Sequence, residues 1–327
     1  MDPEGDQAAS ETGSAGAAHD LRCSVRCAAS VERSRRLTVQ YGGVTGAQTK
    51  RPDTAVVPDD ARLSGVVVIT GAANGIGRAT AIAAASFGAA VAVCDRDADG
   101  LATLVDELTR SGIAASDVVA RVLDVRDDVA VSELALDLDG RFGTVSGLVN
   151  NAGGTYRCAF ADSSPKGDRA LIDTNFTSVL GVTRAFVPMM VPGSSIVNVT
   201  SSEAFQAAPG FGVYAAMKAG VENLTRTLAL ELGGRGIRVN CVSPDGIPTH
   251  GDASLSAEVL AESDFLPPPL PPLGRFADPS ECASVIVFLL GGLASFVTGS
   301  SVHVDGGLHA AGGWHRRASD APPSGAG

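Results

Sequence analysis

Positive charge and phenol are both scarce in this chain. Its 327 residues include only three lysines and three tyrosines, and 36 acidic side chains outnumber 25 basic ones for a net charge of −11. Such a chain lacks the basic surface that holds phosphate backbones or anionic lipid, so nucleic acid is not an expected partner. No uninterrupted apolar run reaches the ~18 residues needed to cross a bilayer. The densest stretch, Val285–Leu290, reads as a buried helix, and no membrane partner is expected. Ser34-Arg-Arg36 has the shape of a twin-arginine signal, but the residues after it provide no apolar segment, so the chain is read as cytoplasmic. The cysteines, at 23, 27, 94, 158, 241 and 282, show neither C-x-x-C spacing nor a disulfide rhythm. Cys23 and Cys27 have no second ligand pair near them, and His19, His250, His303, His309 and His315 are not spaced as metal ligands, so no metal is expected.

With 45% apolar residues the chain is globular, with enough length for a large core. Residues 1–62 are rich in Ala, Gly, Ser, Asp and Arg without a period of 2 or 3.6, and are expected to be a disordered extension or the product of an early translation start. A folded domain is expected over 63–310, followed by a flexible tail over 311–327. Within the domain, strands predicted at Val66–Thr70, Ala90–Cys94, Val118–Leu123, Gly147–Asn150, Ser195–Thr200, Arg238–Ser243 and Ser301–Val304 are short and continuously apolar. Helices predicted at Gly77–Phe87, Asp97–Ser111, from Val129, at Leu171–Met190, around Tyr214 and at Ser280–Leu290 separate them. Strands of this kind alternating with helices predict a single doubly wound α/β domain, a parallel sheet of the Rossmann type with helices on both faces.

The first strand leads directly into Thr70-Gly71-Ala-Ala-Asn74-Gly75-Ile76-Gly77. Glycines permit a tight turn and let the N-terminus of the next helix approach a pyrophosphate, and the strand before and helix after set this run apart from an ordinary glycine cluster. The second strand ends at Asp95, 18 residues after Gly77, where a carboxylate accepts from ribose hydroxyls and repels a 2′-phosphate. Arg96 is a candidate for binding that phosphate, but Asn74 supplies no second cation in the turn, so NAD is expected over NADP.

Against their scarcity, one tyrosine and one lysine fall four residues apart in Tyr214-Ala-Ala-Met-Lys218, a pairing random placement would produce only about 0.03 times. On a helix the two share a face. A phenol titrates near pKa ~10 and needs a fixed cation to move protons near neutrality, which the Lys218 ammonium would supply.

Read in order, the glycine turn, Asn150-Asn-Ala-Gly153, Asn175, Ser201, Tyr214 and Lys218 resemble the short-chain dehydrogenase/reductase family, over Leu63 to about Leu308. The resemblance implies hydride transfer between a carbinol and a nicotinamide, with Tyr214 as general acid and base. It implies that Ser201, 13 residues before Tyr214, bonds the substrate oxygen, and that Asn175 holds a water in a proton relay. Lys218 would also bond the nicotinamide ribose. Ile76 and its glycine neighbours would meet the pyrophosphate, Asp124 and Val125 would flank the adenine, and Asn151, Ala152 and Gly153 would line the cofactor. Pro244, Ile247 and Thr249 would close over the nicotinamide. The family's Pro-Gly is here Pro244-Asp245-Gly246, whose added carboxylate would bond substrate or point to solvent.

The implied activity is NAD-dependent interconversion of a secondary alcohol and a ketone. The expected pocket, from Tyr156–Phe160, Glu203–Phe211 and a lid at Gly251–Leu273 with Leu255, Val259, Leu260, Phe265 and Leu266, is mostly apolar and suggests a lipophilic small molecule. Those lid residues equally suit a small helix core or a subunit contact, and His250 is a candidate substrate contact. Pro267–Pro272 reads as a stiff lid hinge. The alternatives are an NADPH-dependent 3-oxoacyl-thioester reductase and a catalytically silent nucleotide-binding protein. A homotetramer, or a homodimer, is implied, with Val304–Trp314 near a subunit contact.

Overall fold

The computed structural model describes residues 62–248 and 270–313. The expected extension before Arg62, Thr249, His250, the lid leucines, Cys23, Cys27, His19 and His315 lie outside them. Seven parallel strands form one sheet: β1 (Val66–Thr70), β2 (Ala90–Asp95), β3 (Val118–Val122), β4 (Val145–Asn150), β5 (Met190–Val199), β6 (Arg238–Pro244) and β7 (Ser301–Val304), in the spatial order 3-2-1-4-5-6-7. Strand order reverses between β1 and β4, and the crevice beyond the carboxyl ends of such strands is where doubly wound sheets bind ligands.

β1 is buried along its whole length because helices cover both faces. Alternation divides it: Val67 and Ile69 join one core, Val66 and Val68 the other. The first core packs against α1 (Gly75–Ser86), α2 (Ala98–Arg110) and a helix spanning Pro279–Leu290. In α1 the buried face is made of Thr80, Ala81, Ala84 and Ala85, small enough for close approach to the sheet, whereas α2 turns Leu101, Leu104 and Leu108 inward at helical spacing. Each such buried leucine contributes about 1.5–3 kcal/mol. The second core packs α3 (Asp128–Phe142), through Leu134 and Leu138, and Phe186 against Leu148 and Ile196.

The single helix predicted over Leu171–Met190 is instead a composite. It starts earlier, as α4 (Pro165–Ile172), because the Ser164 side chain accepts from Gly167 N–H and Pro165 occupies the first turn. It passes through a π-helical turn at Asp173–Thr177 into α5 (Ser178–Phe186). Pro188, which has no N–H to donate, sits in the 3₁₀ turn Val187–Met189, and Met190 already belongs to β5. α6 (Gly212–Gly233) carries Tyr214 and Lys218, α7 (Pro279–Leu290) opens on a reciprocal Asp278–Glu281 cap, and α8 (Leu308–Ala311) follows β7. Arg238 donates to the carbonyls of Leu289, Leu290 and Gly291 at the end of α7, as a cation does at a helix C-terminus. Among the described residues no helix is long and apolar enough to cross a membrane.

Candidate active site

The carboxyl ends of β1, β2, β4, β5 and β6 deliver Thr70, Asp95, Asn150, Thr200 and Pro244 to one edge of the sheet. At β1 the chain turns through Gly71 (φ +67°) and Gly75 (φ +56°), conformations side chains disfavour. A Cβ on Gly77 would stand 2.1 Å from the Gly71 carbonyl oxygen, so the helix reaches the turn only without one. Asn151 fastens the turn to β4: its amide donates to the carbonyls of Thr70 and Gly71 at 3.0 and 2.9 Å, and the Asn151 and Ala152 N–H groups donate to Thr70 Oγ1. Asn151 thus shapes the turn through its side chain. No side chain caps α1, because Asn74 donates to Asp97 Oδ2 (2.9 Å). The first-turn N–H groups are left for an anion, which fits the pyrophosphate of a dinucleotide.

Asp95 accepts from Ala73 N–H (3.0 Å) and Asp97 N–H (3.1 Å), one through each carboxylate oxygen. Each oxygen keeps a lone pair, so the group holds the turn and can still accept ribose hydroxyls. Arg96 is exposed and lies 3.9 Å from Asp124. Asp124 is clamped by Arg126 Nε at 2.9 Å, which holds its carboxyl below the usual range. Val125 and Ile247 are buried, and Pro244 is half-buried at the end of β6.

α6 brings Lys218 Nζ to 5.6 Å from the Tyr214 ring centroid. Lys218 is buried, donates to the Val199 carbonyl at 2.9 Å, and burial lowers its pKa to about 8. Asn175 is fully buried inside the π-helical turn. Its Nδ2 donates to the carbonyls of Gly154 (2.8 Å) and Leu171 (3.0 Å), and its Oδ1 accepts from Gly154 N–H (3.2 Å). One Oδ1 lone pair remains. Gly153 lies between the two: a Cβ there would stand 3.0 Å from Asn175 Oδ1 and 3.4 Å from Lys218 Nζ.

Ser201 follows β5 and donates through Oγ to the Glu203 carboxylate. Ser202 donates to Asp245. Asp245 is half-buried and held at the sheet edge by that bond. It folds back, accepting also from Gly246 N–H at 2.6 Å, and burial raises its pKa. Two carboxylates thus stand beside two adjacent serines, Glu203 at Ser201 and Asp245 at Ser202. Sequence reasoning passed over Glu222. Buried four residues after Lys218, its Oε1 accepts from Thr200 (2.7 Å), Ser243 (3.1 Å) and Ser301 (2.8 Å), tying together the ends of β5, β6 and β7. Its i,i+4 spacing from Lys218 was the available signal. Of the histidines, His303 and His309 stack at 3.9 Å with Phe205 edge-on to both. Among the described residues no group of side chains could hold a metal. Cys94, Cys158, Cys241 and Cys282 are free thiols, and burial pushes Cys94 and Cys282 up to about 12.

Comparison with known proteins agrees with this architecture. The profile of a family described as Enoyl-(Acyl carrier protein) reductase matches residues 71–309. A 3-oxoacyl-(acyl-carrier-protein) reductase of Thermotoga maritima is 40% identical over 252 residues, spanning 76% of this chain and 99% of its own. A solved short-chain type dehydrogenase/reductase from Mycobacterium marinum superimposes with a TM-score of 0.70 at 32% identity, covering 76% of this chain and 98% of the other. The actinorhodin polyketide ketoreductase, solved with NADPH, gives 0.69 at 32% identity over 75% and 97%. With this similarity over three quarters of its length, a parallel sheet in the order 3-2-1-4-5-6-7 and a glycine turn leading into its first helix, the chain belongs to the short-chain dehydrogenase/reductase family of oxidoreductases.

Proposed function

We propose that this chain is an NAD-dependent oxidoreductase interconverting a secondary alcohol and a ketone on a lipophilic small molecule, with Tyr214 as general acid and base. The observation that carries the reading is the buried Lys218 ammonium 5.6 Å from the Tyr214 ring, on the helix face that meets the end of β5. In the oxidising direction Tyr214, as phenolate, takes the hydroxyl proton of the substrate. Ser201 turns its hydroxyl from Glu203 to the substrate oxygen and stabilises the charge developing there. Asn175, through its remaining lone pair, orients the donor that resupplies the proton. When bound, the nicotinamide supplies hydride acceptance in oxidation and hydride donation in reduction. Gly71, Gly75, Ile76 and Gly77 hold the pyrophosphate. Asp95 accepts from the ribose hydroxyls and disfavours a 2′-phosphate, which supports NAD. Asp124, Val125, Asn151, Ala152, Gly153, Pro244, Ile247 and Thr249 complete the cofactor contacts.

The test is a panel of secondary alcohols and ketones followed at the NADH absorbance, together with titration by NADH and NADPH. Turnover lost by ~10²–10⁴-fold in Tyr214→Phe, with NADH still bound and bound more tightly than NADPH, is the expected result. Undiminished turnover in that variant sinks the mechanism, and tighter NADPH binding sinks the cofactor assignment. The second reading, an NADPH-dependent 3-oxoacyl-thioester reductase, is favoured by the name of the Thermotoga maritima relative. Preferential reduction of acetoacetyl thioesters with NADPH would select it.

The working unit is a cytoplasmic homotetramer or homodimer in which residues 1–62 and 311–327 lie outside the catalytic domain. β7, half-exposed at the sheet edge, supports assembly, since an open edge invites pairing. Light scattering should give two or four chains, and a monomer refutes this.

A further inference from the structure

Beside the first turn of α6, a cavity of about 20 Å³ opens between the 156–163 segment, α4 and residues 210–213. Its walls are mixed: Tyr156, Leu171, Phe211 and Val213 line it together with Ser163 and Asp168, and Val213 directly precedes Tyr214. Cys158 N–H donates to the Gly210 carbonyl at 2.8 Å, stitching one wall to the loop that starts the catalytic helix. That wall is therefore tied to the loop from which Tyr214 follows.

One charged side chain, Asp168, reaches this cavity. Its Oδ2 accepts from Ser163 Oγ at 3.2 Å, while Oδ1 is buried from solvent and has no hydrogen-bond partner among the described residues. A buried carboxylate oxygen without a donor is costly, and folded proteins rarely leave one so. The volume suits one water-sized polar group, since a single water needs about 10–15 Å³ of such space. A water-sized slot with one unmatched acceptor at its wall fits a single hydrogen-bond donor at the end of a larger molecule whose body lies outside it.

We propose that Asp168 is a specificity-determining residue: it accepts a hydrogen bond from a donor, hydroxyl or ammonium, carried by the substrate at a distance from its reacting carbinol. The inference rests on the proposed alcohol–ketone activity and goes beyond it in assigning the substrate a second polar group. Phe160, which also lines the cavity, is exposed. Because a site that bonds a donor leaves its acceptor unpaired when that donor is missing, discrimination is strong against molecules lacking it.

The test compares cyclohexanol, trans-1,4-cyclohexanediol and trans-4-aminocyclohexanol as substrates with NAD, and as ligands of the NADH-loaded protein by calorimetry. In the native chain the kcat/KM of a donor-bearing member should exceed that of cyclohexanol by about tenfold or more, as a hydrogen bond to a charged acceptor implies. Asp168→Ala should bring that ratio to within about twofold of unity. Asp168→Asn, which preserves shape and an acceptor oxygen, separates the arms. A hydroxyl preference survives it, an ammonium preference does not, and the variant also guards against misfolding of the alanine form. Ratios that are unity in the native chain, or that Asp168→Ala leaves unchanged, overturn the proposal, as does a cavity that takes up a water only. Should no alcohol turn over while binding still depends on Asp168, the alcohol–ketone reading fails and the subsite stands. Binding indifferent to Asp168 overturns the subsite whether or not turnover is seen.

Discussion

Replacing Lys218 by methionine separates what the ammonium does for chemistry from what it costs the fold. At 5.6 Å from the Tyr214 ring, and with an effective dielectric of about 20, a unit charge favours phenolate over phenol by about 3 kcal/mol, or roughly two pKa units. The rising limb of kcat/KM for alcohol oxidation should therefore move about two pH units upward in Lys218→Met, measured as initial rates of NADH formation between pH 6 and 11. Stability should respond in the opposite sense. Lys218 binds its proton less tightly in the folded chain, at about 8, than at its ordinary 10.5, so the native state carries the full cost of the buried cation below about 8 and recovers as pH rises from 8 to 10.5. That cost is roughly 3 kcal/mol, from which the lost bond to the Val199 carbonyl takes back about 1–3 kcal/mol. At pH 7 the variant's melting temperature should be equal to or above that of the native chain. An unmoved pH limb, or a melting temperature that falls together with activity, would show that Lys218 is a packing residue.

Two further substitutions probe the ends of the strands. Gly77→Ala forces a Cβ to 2.1 Å from the Gly71 oxygen and 2.5 Å from Asn151 Nδ2, both held by the fold, so a loss of about 1–3 kcal/mol and of NADH-induced fluorescence quenching is expected. Asp245→Asn should raise the melting temperature at pH 7 and leave it unchanged below pH ~4. The sign follows from its raised pKa: the folded chain holds that proton more tightly than the unfolded chain, so stability falls as pH climbs above 3.8 and the carboxylate must ionise while buried.

The parts legible in the sequence are those fixed by local rules. Short valine-rich strands separated by helices announce a sheet covered on both faces, and the chain from Val66 to Cys94 reads as strand, glycine turn, helix and strand because each step uses local periodicity or a turn residue. The Leu171–Met190 helix failed because an apolar period cannot reveal where a backbone inserts an extra residue. The π-helical turn that seats Asn175 is held by Gly154, 21 residues away, as well as by Leu171 in the preceding turn. Asp245 was visible as an added residue, but its direction depended on Ser202 across the sheet.

By itself the sequence determined the order of elements along the chain and the candidate groups at the strand ends, whereas the spatial order 3-2-1-4-5-6-7, and with it the crevice where that order reverses, came from the tertiary structure. The first two follow from periodicity, glycine geometry and the i,i+4 rule, all of which act within a few residues. Only the tertiary structure decided what surrounds those groups: the contact of Ser202 with Asp245 between the ends of β5 and β6, the Glu222 hub joining three strands, and the Asp168 oxygen without a donor among the described residues. These are contacts between segments and consequences of burial, and no local pattern records how much water a folded chain excludes from a carboxylate.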